Sequence, residues 1–360
     1  MKTNQVSNAF LPFLAPMLAI VAALIVGAFL IALTGVNPLH AYTILFRESL
    51  ANYYGIGNTL TKMAPLLLTA SGVLVGLRAG QLNIGGEGQI HMGGLGAALV
   101  GLYVHGLPMW IHIPLALIGG FLLGAIWGGI AGYLKAFRGV NEVITTLLLN
   151  YIALNIISYL VQRPMIEPGA ASPFTPIISD SAKLPILMPG GLAHAGIFIG
   201  LIATMVLGWL FRRSPLGYQI EVVGQNPTAA RYAGMSVSRT IMFVMALAGG
   251  LAGLAGAGEV MGLKHRLFET ISPGYGYEAV AIALLSRGSF TGVIFTSLFF
   301  GALRSGANVL QREAGIPFTI VYAIQGLTVL FIAISLAVES NLLHRVSLRM
   351  NRLKPAGVKL

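Results

Sequence analysis

The chain has 360 residues, 56% of them apolar and only 9% charged, with no cysteine and a formal net charge of +11. An ordinary soluble domain carries roughly 25% charged residues, so a chain this apolar has too few polar residues to cover a soluble surface. The lack of cysteine excludes disulfides, thiol nucleophiles and thiolate metal sites. The basic excess sits in short loops and the tail, as membrane topology requires, which argues against nucleic-acid binding.

Uncharged runs of about 20 residues recur along the sequence, enough to cross roughly 30 Å of hydrocarbon at about 1.5 Å per residue. They are continuous, unlike the alternating strands of a barrel. The expected class is therefore an all-α polytopic membrane protein with about ten transmembrane segments. These fall near 10–33, 58–77, 89–106, 111–135, 142–161, 191–211, 240–262, 277–286, 290–309 and 318–338. The first is too long for a signal-peptide core and lacks a convincing cleavage site, so it reads as a retained helix. The eighth is too short to span alone and reads as a half-helix or re-entrant piece, tolerated where protein or water buries it. Residues 1–340 form a single membrane domain and 341–360 a basic tail.

With the N-terminus inside, the inner side collects 14 of the 22 basic residues, which puts both termini in the cytoplasm. The outer connection 162–190 holds six prolines and reads as a stiff, extended loop. The inner connection 212–239 is basic, with a short helix expected after Pro227, which suits a first turn capped by Asn226. Ala230, Arg231 and Gly234 are expected on the same helix. Asn83–Ile90 and Pro273–Val280 are both Gly-rich runs with a glutamate leading into a helix. Either 58–161 and 240–338 are inverted-topology repeats, or the two runs are unrelated helix starts.

No nucleotide-binding loop, metal-spaced cluster or nucleophile elbow occurs, so no catalytic residue, metal or cofactor is expected. Energy for uphill transport would come from a partner or an ion gradient. Gly120, Gly124, Gly128 and Gly132 recur at every fourth position, and Gly249, Gly253, Gly258 and Gly262 make similar faces, which reads as close helix packing. Polar residues at membrane depth mark the candidate solute path, since each is costly unless it faces protein or water. They are Gln81, Asn83, Glu87 and Gln89 at the break before the third segment, Thr146 and Asn150 on one face of the fifth with Glu142, Glu278 before the eighth, and Gln325 on the tenth between Tyr322 and Thr328. Glu87 and Glu278 either contact solute or brace broken helices. Amides, both donor and acceptor, suit a small polar, uncharged solute.

Four stretches carry a resemblance: Gly80–Gln89 (GQLNIGGEGQ), Asn141–Tyr151 (NEVITTLLLNY), Gly224–Gly234 (GQNPTAARYAG) and Gly274–Ser286 (GYGYEAVAIALLS). The chain resembles permease subunits of nucleoside-type ABC importers, within the ribose and branched-chain amino-acid permease superfamily. The likeness spans about 10–340 and departs at Ala79 and Leu82. It implies a bacterial inner-membrane importer that moves a nucleoside or related solute by alternating access. Its expected partners are a cytoplasmic ABC ATPase, a second related permease in a heterodimer rather than a homodimer, and an extracytoplasmic solute-binding protein or lipoprotein. Asn226, Pro227, Ala230, Arg231 and Gly234 would then couple to the ATPase. The alternatives are a permease for a simple sugar such as a pentose, or a stand-alone ion-coupled secondary transporter.

Overall fold

The computed structural model describes Leu18, residues 20–331 and Ile334. The start of the expected first segment, the end of the tenth and the tail at 341–360 lie outside the described residues. Among the described residues the fold is all helical, with two isolated bridges, Phe174 to Phe268 and Ile186 to His194. In chain order the helices are α1 (Ile20–Leu33), α2 (Pro38–Leu50), α3 (Tyr53–Arg78), α4 (Gly86–Tyr103), α5 (Met109–Arg138), α6 (Glu142–Gln162) and α7 (Gly196–Arg213). They continue as α8 (Pro215–Gln225), α9 (Pro227–Tyr232), α10 (Val237–Gly258), α11 (Tyr275–Leu285), α12 (Phe290–Ala314) and α13 (Phe318–Phe331).

Among the described residues six helices are long and apolar enough to cross a membrane, namely α3, α5, α6, α7, α10 and α12; α1 and α2, bent by 116°, make a seventh if taken as one span. The expected count was about ten. Helix α4 falls short of this measure because Glu87, Gln89 and His91 sit in its first turns, while α11 and α13 are shorter apolar helices. Helix α2 was not expected, since 13 residues carrying Arg47 and Glu48 do not read as a span.

The described residues group into two units, one of Phe46–Ser305 and one of the chain up to Leu45 and from Gly306 onward. In the second unit, α1 packs against α13 and α2. A Cβ at Gly27 would meet Ile324, and the Tyr42 hydroxyl donates to the Leu24 carbonyl at 2.5 Å.

The larger unit has a glycine-lined centre. On α5 and α10 the expected faces meet at Gly249 and Gly253: a Cβ at Gly124 would lie 2.7 Å from Gly253 Cα, and one at Gly128 would lie 2.9 Å from Gly249 Cα, whereas Gly258 and Gly262 lie against the His194 ring instead. Backbone thus meets backbone with no side chain between, the arrangement small residues permit where lipid gives no hydrophobic drive to association. Helix α4 joins the same centre through Gly93 and Gly96, which press on Gly253 and Gly119. Helices α3 and α10 are mostly buried, whereas α5 and α6 expose most of their surface.

Connections follow local chemistry. Gly139, at φ +68, closes α5, and Asn141 caps α6 by accepting from the Val143 and Ile144 amides. The proline-rich loop at 163–195 is extended and tied down: Thr175, Ile178 and Leu184 donate backbone hydrogen bonds to Leu267, His265 and Met261. Within it, burial pushes His194 down to about 4, leaving a neutral ring whose Nδ1 accepts from the Gly196 amide at 3.2 Å. Helix α10 ends in a wide π turn over Glu259–Lys264, closed by His265 at φ +54.

The expected short helix after Pro227 is α9, but α8 precedes it and α9 stops at Tyr232. Gly234 lies beyond that helix, a correction to its expected place on it. At φ +79 it is the left-handed residue of the C-terminal cap: its own amide donates to Arg231 and that of Met235 to Ala230.

Candidate functional site

The site begins where α3 stops and α4 starts. Gly80, at φ +70, turns the chain, and residues 81–84 run extended before α4 resumes at Gly86. Such a break exposes backbone groups that must find partners in a bilayer. At the break Asn83 and Gln89 form a reciprocal side-chain amide pair, with Asn83 Nδ2 donating to Gln89 Oε1 at 3.0 Å and Gln89 Nε2 donating to Asn83 Oδ1 at 3.2 Å. Asn83 Oδ1 also accepts from the Gly85 amide at 2.9 Å.

Helix α6 supplies further partners. Asn150 Oδ1 accepts from the Gly88 amide at 2.8 Å, its Nδ2 donates to the Ile84 carbonyl at 3.0 Å, and Thr146 Oγ1 accepts from the Ile84 amide at 3.3 Å. Both side chains are buried, while Glu142 one turn earlier pairs with Lys135 at 2.7 Å. Gln81 is buried with its Nε2 donating to Ala79 at 3.4 Å and its Oε1 without a hydrogen-bond partner.

A second helix start meets the first. Glu87 accepts from the backbone amides of Gly274 at 3.1 Å and Gly276 at 2.8 Å, which tethers α11 to α4. Glu278, on α11, pairs with Arg304 at 3.0 Å, and Arg304 also donates to the Pro273 carbonyl at 2.6 Å. The structure therefore buries Gln81, Asn83, Glu87, Gln89, Thr146 and Asn150 around the break: Asn83 pairs with Gln89, Thr146 and Asn150 hold the backbone at 84–88, Glu87 holds the start of α11, and Gln81 bonds to Ala79, while Glu278 stands in an ion pair with Arg304. Gln325 belongs to the other unit, buried on α13 with Thr328, while Tyr322 is exposed.

In the inner connection, Asn226 caps α9 by accepting from the Thr228 and Ala229 amides, and Pro227 fills the first turn. Ala230 packs inward against Val223, Val237 and Met245, whereas Arg231 and Tyr232 face outward.

One group of residues escaped the sequence reading. Tyr151, Asn155 and Tyr159, spaced by four on α6, form an exposed face around a groove of about 420 Å³. At its end Ser158 and Gln162 both donate to Glu269, at 2.6 and 3.2 Å. The i, i+4, i+8 spacing was the available signal, but it is the same spacing that Glu142, Thr146 and Asn150 show on the other face.

Among the described residues, these polar side chains brace the helix break and the start of α11. Residues 55–333 match the family described as branched-chain amino acid transport system / permease component. The chain is 36% identical to the glucose ABC transporter permease protein TsgB13 of Haloferax volcanii, covering 91% of this chain and 88% of that one. It is 33% identical to the guanosine ABC transporter permease protein NupP of Bacillus subtilis, covering 91% and 94%. It is 34% identical to the nucleoside ABC transporter permease protein NupB of Lactococcus lactis subsp. cremoris, covering 91% and 92%. A bundle of apolar helices, a helix break held by its own polar web and a match across most of its length make this chain a member of the branched-chain amino acid transport system / permease component family, a permease subunit of an ABC transporter.

Proposed function

We propose that the chain imports a nucleoside, across a bacterial inner membrane, as one half of a permease pair driven by partner ATPase subunits. The observation that carries this reading is the exposed face of α6. An asparagine and two tyrosines open on the outer surface of a membrane helix are costly against lipid, so a second, related permease subunit is the fitting neighbour, with a wet path between the two. Tyrosine rings offer a nucleobase a flat apolar partner, and Asn155, whose Nδ2 donates to the Tyr151 carbonyl at 2.7 Å, keeps its Oδ1 as an acceptor and a second N–H as a donor. In this reading Gln81, Asn83, Glu87, Gln89, Thr146 and Asn150 hold the broken helix that backs the path, and Glu278 with Arg304 holds α11.

Helix α9 is the part we assign to the ATPase. Its outward Arg231 and Tyr232 suit a groove with an acidic wall, and its cap fixes the angle at which it stands. This puts both termini in the cytoplasm and a solute-binding protein at the opposite face. The ten-span count, with 58–161 and 240–338 as inverted repeats, belongs to the same proposal; the meeting of the two Gly-rich helix starts at Glu87 supports it.

Sugar import is the second reading, favoured by the similarity to the permease named for glucose. Uptake of labelled guanosine into cells carrying the transporter, competed with unlabelled nucleosides, ribose and glucose, separates the two. Competition by nucleosides alone is expected. No uptake of guanosine, with uptake of labelled ribose or glucose by the same cells, would replace the first reading with the second.

A further inference from the structure

An arginine-lined cleft begins at Arg78, the last residue of α3, and shares no lining residue with the polar side chains at the helix break or with α9. It has a volume of about 640 Å³ and is bounded by the end of α3, the last turns of α7, α8 and the start of α12. Arg78, Arg212, Arg213 and Arg287 line it against a single carboxylate, Glu221. We propose that this cleft holds the phosphodiester headgroup of an anionic phospholipid, whose acyl chains lie along α7.

Part of the charge is already committed. Arg78 donates to Glu221 and to the Gly288 carbonyl, and it lies 5.7 Å from the centre of the Phe211 ring, so it serves as a fixed floor. Arg212 and Arg213 are exposed at the end of α7 and have no carboxylate partner among the described residues. Arg287 is held at φ +50 and followed by Gly288 at φ +80, a left-handed pair that turns the chain at the mouth of the cleft. A non-glycine residue there is strained, and such strain persists where the surroundings over-determine it. Ser289, just before α12, caps that helix by accepting from the Gly292 amide at 3.3 Å, and Thr291 adds a hydroxyl at the positive end of the helix, which favours an anion.

The apolar side of the cleft decides between a lipid and a free anion. Met205 and Trp209 are 58% and 64% exposed on α7, two turns and one turn before the arginines. An acyl chain against those side chains would leave its phosphate at the level of Arg212 and Arg213. Trp near the end of an apolar run is a common marker of the membrane–water interface, and basic pockets between membrane helices bind anionic headgroups. A free phosphate would satisfy the arginines and leave the apolar wall without a partner.

Native mass spectrometry of the intact purified transporter tests this, with phosphatidylglycerol or phosphatidylcholine supplied in the detergent. Preferential retention of phosphatidylglycerol is expected. In the double variant R212Q/R213Q its affinity should fall about 30-fold, from about 1 kcal/mol per interfacial cation. The charge-conserving R212K/R213K should retain it, and R287Q gives an independent loss should the double variant not assemble. Inorganic phosphate is the control ligand. Equal retention of both lipids, unchanged retention in both Gln variants, or binding of phosphate with no lipid preference would each overturn the proposal.

Discussion

Glu87 lies against Gly276 so closely that a Cβ on the glycine would fall 2.5 Å from the Glu87 Cα, and the Glu87 carboxylate accepts the Gly276 amide at 2.8 Å. One acidic residue in the first turn of α4 thus closes the start of α11. Replacing it with alanine leaves two amides without an acceptor in a bilayer-buried site, and each buried orphan costs about 1–3 kcal/mol. Glu87→Ala should therefore lower the unfolding temperature of the detergent-purified protein sharply. Glu87→Gln should fall between it and the parent, because one oxygen still accepts while the NH₂ faces the second amide. An unchanged melting temperature in Glu87→Ala would show that the tether contributes nothing to stability.

The glycine contact of α5 and α10 predicts a position-specific response. A Cβ at Gly253 would meet Gly124 Cα at 3.0 Å, a backbone atom that cannot swing aside. Gly253→Val should destabilise by about 1–3 kcal/mol through overpacking. Gly129 is the internal control, since its nearest obstacle is the Ala246 Cβ at 3.7 Å. Gly129→Ala should be close to neutral in the same thermal assay, although it neighbours Gly128.

Gly234 meets nothing within 4 Å, yet its φ of +79 is one that a β-branched residue avoids. Gly234→Val should loosen the end of α9 by roughly 1–2 kcal/mol, leaving membrane insertion intact while reducing substrate-stimulated ATPase activity in the reconstituted complex. Gly234→Asn, which tolerates the left-handed region, should keep most of that activity. Equal activity of the Val variant and the parent would separate this turn from coupling.

The chain has no cysteine, so single cysteines report access directly. A cysteine at Asn155 should react with a water-soluble thiol reagent in the assembled transporter, and more so in one nucleotide state than in another. A cysteine at Asn150, whose native side chain is fully buried, should not. Labelling at 150 with none at 155 would move the path from the outer face of α6 to the interior of the bundle.

Much of this was legible in advance. Continuous apolar runs gave the helical class, four-residue glycine spacing gave the α5 and α10 faces, and the Asn226–Pro227 pair gave the start of α9. The polar residues at the break were found by their cost in lipid, but their partners were not. Asn150 reaches Ile84 and Gly88 across more than sixty residues of sequence, and no local pattern carries that pairing. Helix α2 was too short and too polar to register. The arginine cleft was hidden for another reason: Arg78, Arg212 and Arg287 come from three distant segments, each of which reads alone as an ordinary basic loop end.

The direct backbone contact between α5 and α10 also limits how the protein can move. Side chains that interlock can exchange rotamers and let two helices slide, but glycine faces have no rotamers to exchange. Any shift along or around the axes drives main-chain atoms into each other within a fraction of an ångström, and close-packed interiors change by discrete jumps rather than by smooth yielding. The two helices therefore act as one stiff strut. Opening and closing must be carried by partners with deformable contacts, such as α7, which meets α3 through Leu67 against Gly200 and a 2.8 Å hydrogen bond between Ser71 and Thr204.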